Sequence, residues 1–443
     1  MLLLMIPNSM VKDLINERKW LQQSVINEVG DKWGQAQTIV GPILTIPFID
    51  KYKDDKGRLM EVTKMAYFLP DDLQIDGKLA PEVRKRSLYK VNLYRADLQI
   101  SGQFTALGLD FLELKKSQLQ WDKAKINFGI TDLAGIEDNV FLNWDGQPLR
   151  MQPGIPQNMQ TGGHVEPTIE YTDRDYYAKP INSYGRGIMQ SGVSVPIDLT
   201  GEEEKMTFSI DLKLRGSQTI HFAPVGQETT AQLQSDWNSP SFEGNFLPTQ
   251  HDITEQGFTA SWKVLDFNRN YPQQWVGQQN QLAAHTFGLK LFDSVDEYTK
   301  NTRSAKYAFL LISLSFLVFF FFEIINKLNI HSIQYIFIGL AISIFYVLLL
   351  SLSEHIGFNG AYWISTAAII GLIVPYSTAI LKSGKRTVIL GGILVALYTF
   401  IFIILQLEDY ALLVGSIGLF SILAIVMLLS RKIDWYALRR GQS

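Results

Sequence analysis

Ser351, Ser353, Glu354 and His355 stand within five residues of one another at the end of a long apolar run. Two hydroxyls, a carboxylate and an imidazole are residue types that move protons, and ionisable side chains close to a bilayer are costly and often functional. The sharpest chemistry they allow is a Ser/His/carboxylate hydrolase, but no Gly-x-Ser-x-Gly elbow accompanies them. Neighbouring residues on a helix diverge by about 100°, so Glu354 and His355 can face one ligand only where the helix ends. Gly357 and Gly360 suggest such an end. The plainer reading is a hydrogen-bonded cap at the membrane interface. These four residues are the primary candidate cluster.

Two further pairs are secondary candidates. Glu323 closes the first apolar run and His331 precedes the next, so a short loop could join them as an ion pair; each could equally be an interface anchor. Asp296 and Arg303 flank the entrance to the membrane and could pair, with Lys306 anchoring at the headgroups. No His-Glu-x-x-His or Gly-Lys-Ser/Thr motif occurs, and His164, His221, His251 and His285 lack metal-ligand spacing. The chain has no cysteine, which excludes a disulfide framework, a thiolate metal site and a cysteine nucleophile. No catalytic residue, metal ligand or cofactor is assigned. A net charge of -3 gives no basic field for nucleic acid.

The elements that must position these residues follow from charge and hydropathy. Residues 1–304 hold 69 of the 83 charged residues, whereas 305–430 hold nine, among them the five basic residues Lys306, Lys327, Lys382, Lys385 and Arg386. Five apolar runs, 305–325, 333–352, 361–381, 387–406 and 411–430, each have the length that crosses a hydrocarbon core of about 30 Å. Lys327, then Lys382, Lys385 and Arg386, then Arg431, Lys432, Arg439 and Arg440 fall on one side if all five runs span. The loops on the other side, 353–360 and 407–410, carry Glu354, Glu408 and Asp409 and no Lys or Arg. The positive-inside rule places the basic tail 431–443 inside and residues 1–304 outside. Tyr307, Tyr335, Trp363, Tyr410, Trp435 and Tyr436 sit near span ends, as aromatic belts do. Met1–Pro7 is apolar but too short to span, and reads as the outer remnant of a truncated sixth, N-terminal span. From Asn8 to Val29 apolar residues recur at near-helical spacing, consistent with a helix leaving the membrane.

From Gln37 the texture becomes that of strands. Thr38–Phe48 is β-rich with a Gly41-Pro42 break; Tyr89–Ile100, Met206–Leu214 and Thr229–Leu233 alternate, as half-buried antiparallel strands do. Asp145-Gly146 and Asn359-Gly360 are turn signals. The fold class expected is an α+β membrane protein. A large antiparallel β-rich domain, 8–304, sandwich-like or an open barrel, precedes a bundle of five transmembrane helices. The Gly/Pro/Gln-rich stretch 146–165 is a candidate division into two subdomains. Trp237, Pro240, Phe242, Phe246, Pro248, Phe258 and Trp262 are either a β core with ordered turns or a patch for a partner or amphiphile.

Several long blocks resemble the CreD family of inner-membrane proteins, also called cell envelope integrity proteins. They include Val40-Gly41-Pro42, Arg86–Phe104, Trp237–Pro248, Gly257–Trp262, Asp296-Glu297-Tyr298 with Arg303 and Lys306-Tyr307, Phe322-Glu323, His331–Tyr335 and Leu348–Phe358. The chain departs from the family pattern at its start and at Ser332, where a proline is expected. The resemblance implies one N-terminal span, a periplasmic domain, a C-terminal span cluster and a link to envelope stress, but no known reaction. The function expected is therefore a multi-pass, non-enzymatic protein of the bacterial inner membrane in the envelope integrity response. Its periplasmic domain would bind an envelope component or protein partner. The alternatives are a transporter or intramembrane enzyme using the Ser/Glu/His cluster, and a membrane-tethered amphiphile-binding β domain. Against a transporter, only Glu323 and Glu354 are ionisable, histidine aside, within or at the ends of the first two spans.

Overall fold

The computed structural model describes residues 5–53, 56–105, 107–155, 161–163, 187–189, 191–201, 203–277, 280, 282–291, 297–326, 328–407 and 410–431. The chain forms two compact units, Met1–Gln23 with Val295–Ser443, and Ser24–Ser294. Helix α1, Met5–Trp33, contributes residues to both.

The helical unit contains α2 (Glu297–Lys306), α3 (Ala308–Ile325), α4 (Ser332–Ile356), α5 (Phe358–Leu381), α6 (Gly384–Gln406) and α7 (Ala411–Ser430). Helices α3 to α7 are long and apolar enough to cross a membrane. Their 18 to 25 residues span about 27–38 Å at 1.5 Å per residue. Helix α4 starts where the His331 ring accepts from the Ile333 N–H and Gln334 accepts from the His331 N–H, a capping box that serves two orphan donors. Ser332 thus occupies the first helical position, where proline is also tolerated. The bundle interior is aromatic. Phe345 meets Tyr346, Tyr362 and Tyr398 edge-on at centroid distances of 4.9, 5.3 and 5.0 Å, and the Tyr362 hydroxyl donates to the Tyr398 carbonyl at 2.7 Å.

The link between α4 and α5 differs from the sequence reading. Gly357 alone makes the turn, at φ 77, a left-handed value that favours glycine. Asn359 and Gly360 are not a turn; they lie in the first turn of α5. The cause is tertiary. The Glu297 carboxylate accepts from the Phe358 N–H at 2.6 Å, and the helix starts three residues before the expected 361.

The second unit is built of two sheets, each mostly antiparallel with one parallel pair. One runs, in spatial order, through Pro240–Gly244, Phe287–Leu291, Thr219–Phe222, Gln37–Lys53, Lys125–Ile130, Gly192–Pro196 and Gln152–Pro153; Leu59–Phe68 pairs with the outer half of Gln37–Lys53 and with Gln274–Val276. The other runs Gln250–Thr254, Gly257–Leu265, Glu228–Ser235, Asp72–Arg86, Tyr89–Thr105, Lys205–Ser217, Phe141–Trp144 and Gln147–Arg150. Parallel pairing joins Gln37–Lys53 to Thr219–Phe222 and Asp72–Arg86 to Glu228–Ser235. The two sheets bury one continuous core. Strand Lys205–Ser217 shows why: Met206, Phe208, Ile210, Leu212 and Leu214 are buried while the alternate residues face out. Each such side chain contributes about 1.5–3 kcal/mol relative to exposure, so a one-residue slip of register would invert the whole set. Gly41-Pro42 is a cis peptide at the point where the pairing with Lys125–Ile130 shifts register. Asp145-Gly146 closes the Phe141–Arg150 hairpin in two residues of positive φ, as the twist of the strands requires.

The rings of the aromatic stretch 237–262 pack on the core, Trp237, Phe242 and Phe246 half-buried against it. Phe258 and Trp262 are buried, the Phe242 ring stands edge-on to both, and the Trp262 indole donates to the Phe246 carbonyl. Within the 146–165 stretch, residues 156–160, 164 and 165 lie outside the described residues.

Candidate functional site

The candidate residues of α4 separate onto two faces. Ser353 and Glu354 turn into the helical unit; Ser351 and His355, four residues apart, are exposed on the outside of α4. The 100° divergence of neighbouring residues therefore decides the geometry, and no Ser/His/carboxylate arrangement forms among these four.

Ser353 and Glu354 are met by α2, a short polar helix that buries Tyr298, Asn301, Ser304 and Ala305 along one face. The Tyr298 hydroxyl donates to Glu354 Oε1 at 2.9 Å. Asn301 Nδ2 donates to Ser353 Oγ at 2.7 Å, and that hydroxyl donates to the Leu350 carbonyl at 2.8 Å. Arg18 Nε, on α1, lies 3.7 Å from the same Glu354 oxygen, and the Glu354 side chain is 7% exposed. A carboxylate held this far from water is retained only with a donor and a counter-charge, and here it has both.

The same helix reaches the other spans. Glu297 caps the start of α5, as above, placing a negative charge at the positive end of its dipole. Arg303 donates to the Leu407 carbonyl at 2.9 Å, a cation on the carboxyl end of α6. Four residues of one ten-residue helix thus touch α4, α5 and α6 through polar bonds. Asp296, the expected partner of Arg303, lies outside the described residues.

Glu323 and His331 do not form the ion pair that the short loop suggested. Glu323 accepts from the Ile330 N–H at 3.2 Å and from the Tyr335 hydroxyl at 2.7 Å, whereas His331 uses its ring to cap α4. The loop's own backbone donor and the hydroxyl in the first turn of α4 reach the carboxylate instead.

Asn301, Glu297 and Arg18 are functional candidates that sequence reasoning missed; Tyr298 is placed at the membrane entrance by sequence, but not as the partner of Glu354. The block Asp296-Glu297-Tyr298 was visible, but its residues gave no helical period, and Arg18 is more than three hundred positions from its partner.

The second unit offers a different surface. The open face of its eight-stranded sheet holds a hollow of about 500 Å³. Its floor is two cross-strand rows, Gln232–Asp76–Gln99–Asp211 and Gln234–Lys78–Asp97–Lys213. Asp138, bonded to the Lys213 ammonium at 3.1 Å, holds that group's pKa above its ordinary value. The side chains of both rows are polar or charged.

Five apolar helices attached to a β-rich unit, with a polar junction at one end, define a multi-span membrane protein. Comparison with known proteins gives the family. The family described as "Inner membrane protein CreD" matches residues 1–436. The curated relative "Inner membrane protein CreD" of Escherichia coli (strain K12) is 30% identical over 447 residues, covering 98% of this chain and 91% of the relative. The chain belongs to the CreD family of inner membrane proteins.

Proposed function

We propose that this protein serves cell envelope integrity without a reaction of its own. Its β unit lies on the periplasmic side and binds an envelope component or a protein partner, its C-terminus lies in the cytoplasm, and the Glu354 junction relays the state of the β unit to the spans. The observation that carries the reading is one of connectivity. The chain passes between the helical spans and the β unit twice, through α1 and through the segment ending in α2. Each passage places a residue on the same carboxylate, Arg18 from α1 and Tyr298 from α2. The orientation is supported by Lys382, Lys385, Arg386 and Arg431 all falling at one end of the spans. The polar floor of the β unit supports a hydrophilic binding partner.

The test is complementation of a deletion strain under envelope stress, with membrane abundance measured in the same cells. Glu354→Gln, which keeps an acceptor for the Tyr298 hydroxyl, should fail to complement at normal abundance. His355→Ala should complement, because His355 is exposed and has no hydrogen bond among the described residues. Full complementation by Glu354→Gln would remove the relay, and loss of activity strictly in proportion to abundance would reduce the junction to a structural cap. In-cell crosslinking from Asp76 or Asp211 positions should capture the periplasmic partner.

A further inference from the structure

Helix α7 buries none of its described residues and touches α6 chiefly where Gly418 meets the Phe400 ring. A Cβ at Gly418 would stand 2.1 Å from that ring, so glycine is what permits the approach. Between this contact and the basic end of the spans, α3, α6 and α7 leave a groove of about 720 Å³. Its walls are apolar, with Phe321 and Val318 from α3, Ile393 and Ala396 from α6, and Ile422 and Val426 from α7. Two polar residues lie on it, Asn326 and Arg386, and both are at the basic end, one at the close of α3 and the other in the first turn of α6.

We infer that this groove is a binding site for an anionic glycerophospholipid, with one acyl chain between the three helices and the phosphate on Arg386. Depth, polarity and charge each point the same way. From Arg386 to Phe400 is 14 residues of helix, about 21 Å, which is a headgroup layer plus half of a hydrocarbon core of about 30 Å. The groove is therefore one leaflet deep, with Phe400 and Gly418 as its floor. An apolar trench at this depth in a bilayer fills with chain, because a void would forfeit the dispersion contacts of its lining. The head end supplies the selection. Arg386 has no side-chain partner among the described residues, Lys385 is beside it, and the Ser383 N-cap makes no side-chain bond to the first N–H groups of α6. A guanidinium next to open helix N–H donors fits a phosphate, and basic pockets between spans on the cytoplasmic side hold acidic headgroups. A zwitterionic lipid would add a cation close to Lys385 and fit less well.

The experiment uses the full chain, delipidated in mild detergent, with phosphatidylglycerol or phosphatidylcholine added back and bound lipid counted by native mass spectrometry. One phosphatidylglycerol per chain is expected, in preference to phosphatidylcholine. Arg386→Gln should lower phosphatidylglycerol binding about fivefold, the factor that corresponds to about 1 kcal/mol for one basic residue at a membrane surface, and lower phosphatidylcholine binding by less, narrowing the preference between the two. Ala396→Phe, which fills the groove, should lower binding of both; Ile422→Phe, from the opposite wall, replaces it should the first variant not be monodisperse. Equal binding of the two lipids by the wild type would overturn the proposal, as would phosphatidylglycerol retained at wild-type level with the groove filled. A lipid-free dimer that Ala396→Phe dissociates would put a second copy of the chain in the groove and overturn it too.

Discussion

The bond between Tyr298 and Glu354 can be weighed against its neighbours. Hydrogen bonds to charged groups contribute about 1.5–3 kcal/mol in soluble proteins, whereas polar pairs inside membrane bundles average about 0.6 and reach about 1.7 kcal/mol in double-mutant cycles. This one is charge-assisted and 7% exposed at its acceptor, so the upper part of the membrane range applies and a coupling of about 1.5 kcal/mol is expected. Arg18 is different: it is 3.7 Å from the carboxylate and 37% exposed, so solvent screens it and its loss should cost about 0.5 kcal/mol. Glu354→Ala removes both interactions and takes the acceptor from a buried hydroxyl, for about 2–3 kcal/mol. The order of destabilisation is then Glu354→Ala, Tyr298→Phe, Arg18→Ala. The assay is reversible unfolding in mixed micelles of sodium dodecyl sulfate and dodecyl maltoside, on the wild type, both single variants of the pair and the double variant. A coupling below about 0.3 kcal/mol, the limit at which independent sites simply add, would refute the reasoning. So would an Arg18→Ala cost equal to that of Glu354→Ala.

In the β unit, Gly146→Ala should cost about 1–2 kcal/mol, because φ is 84 but no atom lies within 4 Å of the new Cβ. Gly216→Ala should cost about 3 kcal/mol or more, because its Cβ would meet the Tyr94 hydroxyl at 2.2 Å and that ring is fully buried and bonded to the Thr219 carbonyl; thermal scans of near-ultraviolet circular dichroism separate the two. Burial holds the Tyr94 and Tyr271 hydroxyls above their ordinary pKa, the Arg269 guanidinium only partly offsetting this at Tyr271. A raised native pKa gives stability that is full below about pH 10 and lost as pH rises, at about 1.4 kcal/mol per pH unit for each group. Denaturant midpoints above pH 10 should therefore fall less steeply in Tyr94→Phe or Tyr271→Phe. Reporters active only outside the cytoplasm should work when fused near 355 or 408 and fail near 384 or 440; the reverse pattern would invert the orientation.

The five spans were legible because each is a local property, a run of apolar residues of fixed length, and the observed ends differ from the expected ones by a few residues. The alternating strands were legible for the same reason: Phe208, Ile210, Leu212 and Leu214 were placed on one face from period alone, and they are buried together. What sequence did not show was set by distant partners. Helix α2 is ten mostly polar residues with no apolar stripe of its own, so nothing local announced it. The start of α5 was masked because Asn359-Gly360 looks like a turn until the Glu297 carboxylate arrives to cap Phe358. At the candidate site, Ser353 and Glu354 stand out in sequence by their types and depth. Their separation from Ser351 and His355 followed from helical geometry, but their contacts with Tyr298, Asn301 and Arg18 could not be found without the fold.

Polar rather than apolar contacts fix α2, and this bears on how the junction could carry a signal. An apolar seat tolerates sliding, because its energy varies smoothly with area. A seat made of Glu297 on α5, Tyr298 and Asn301 on α4 and Arg303 on α6 does not: each bond fails beyond a few tenths of an ångström, and a broken one leaves a poorly solvated group unpaired. Such an element has few arrangements, separated by lost bonds, and that discreteness is what a two-state element requires. The groups that α2 holds are two helix ends and one span-end carboxylate. A shift of α2 would therefore uncap α5 and α6 and unpair Glu354 in one step, where an apolar contact would let each span adjust by itself.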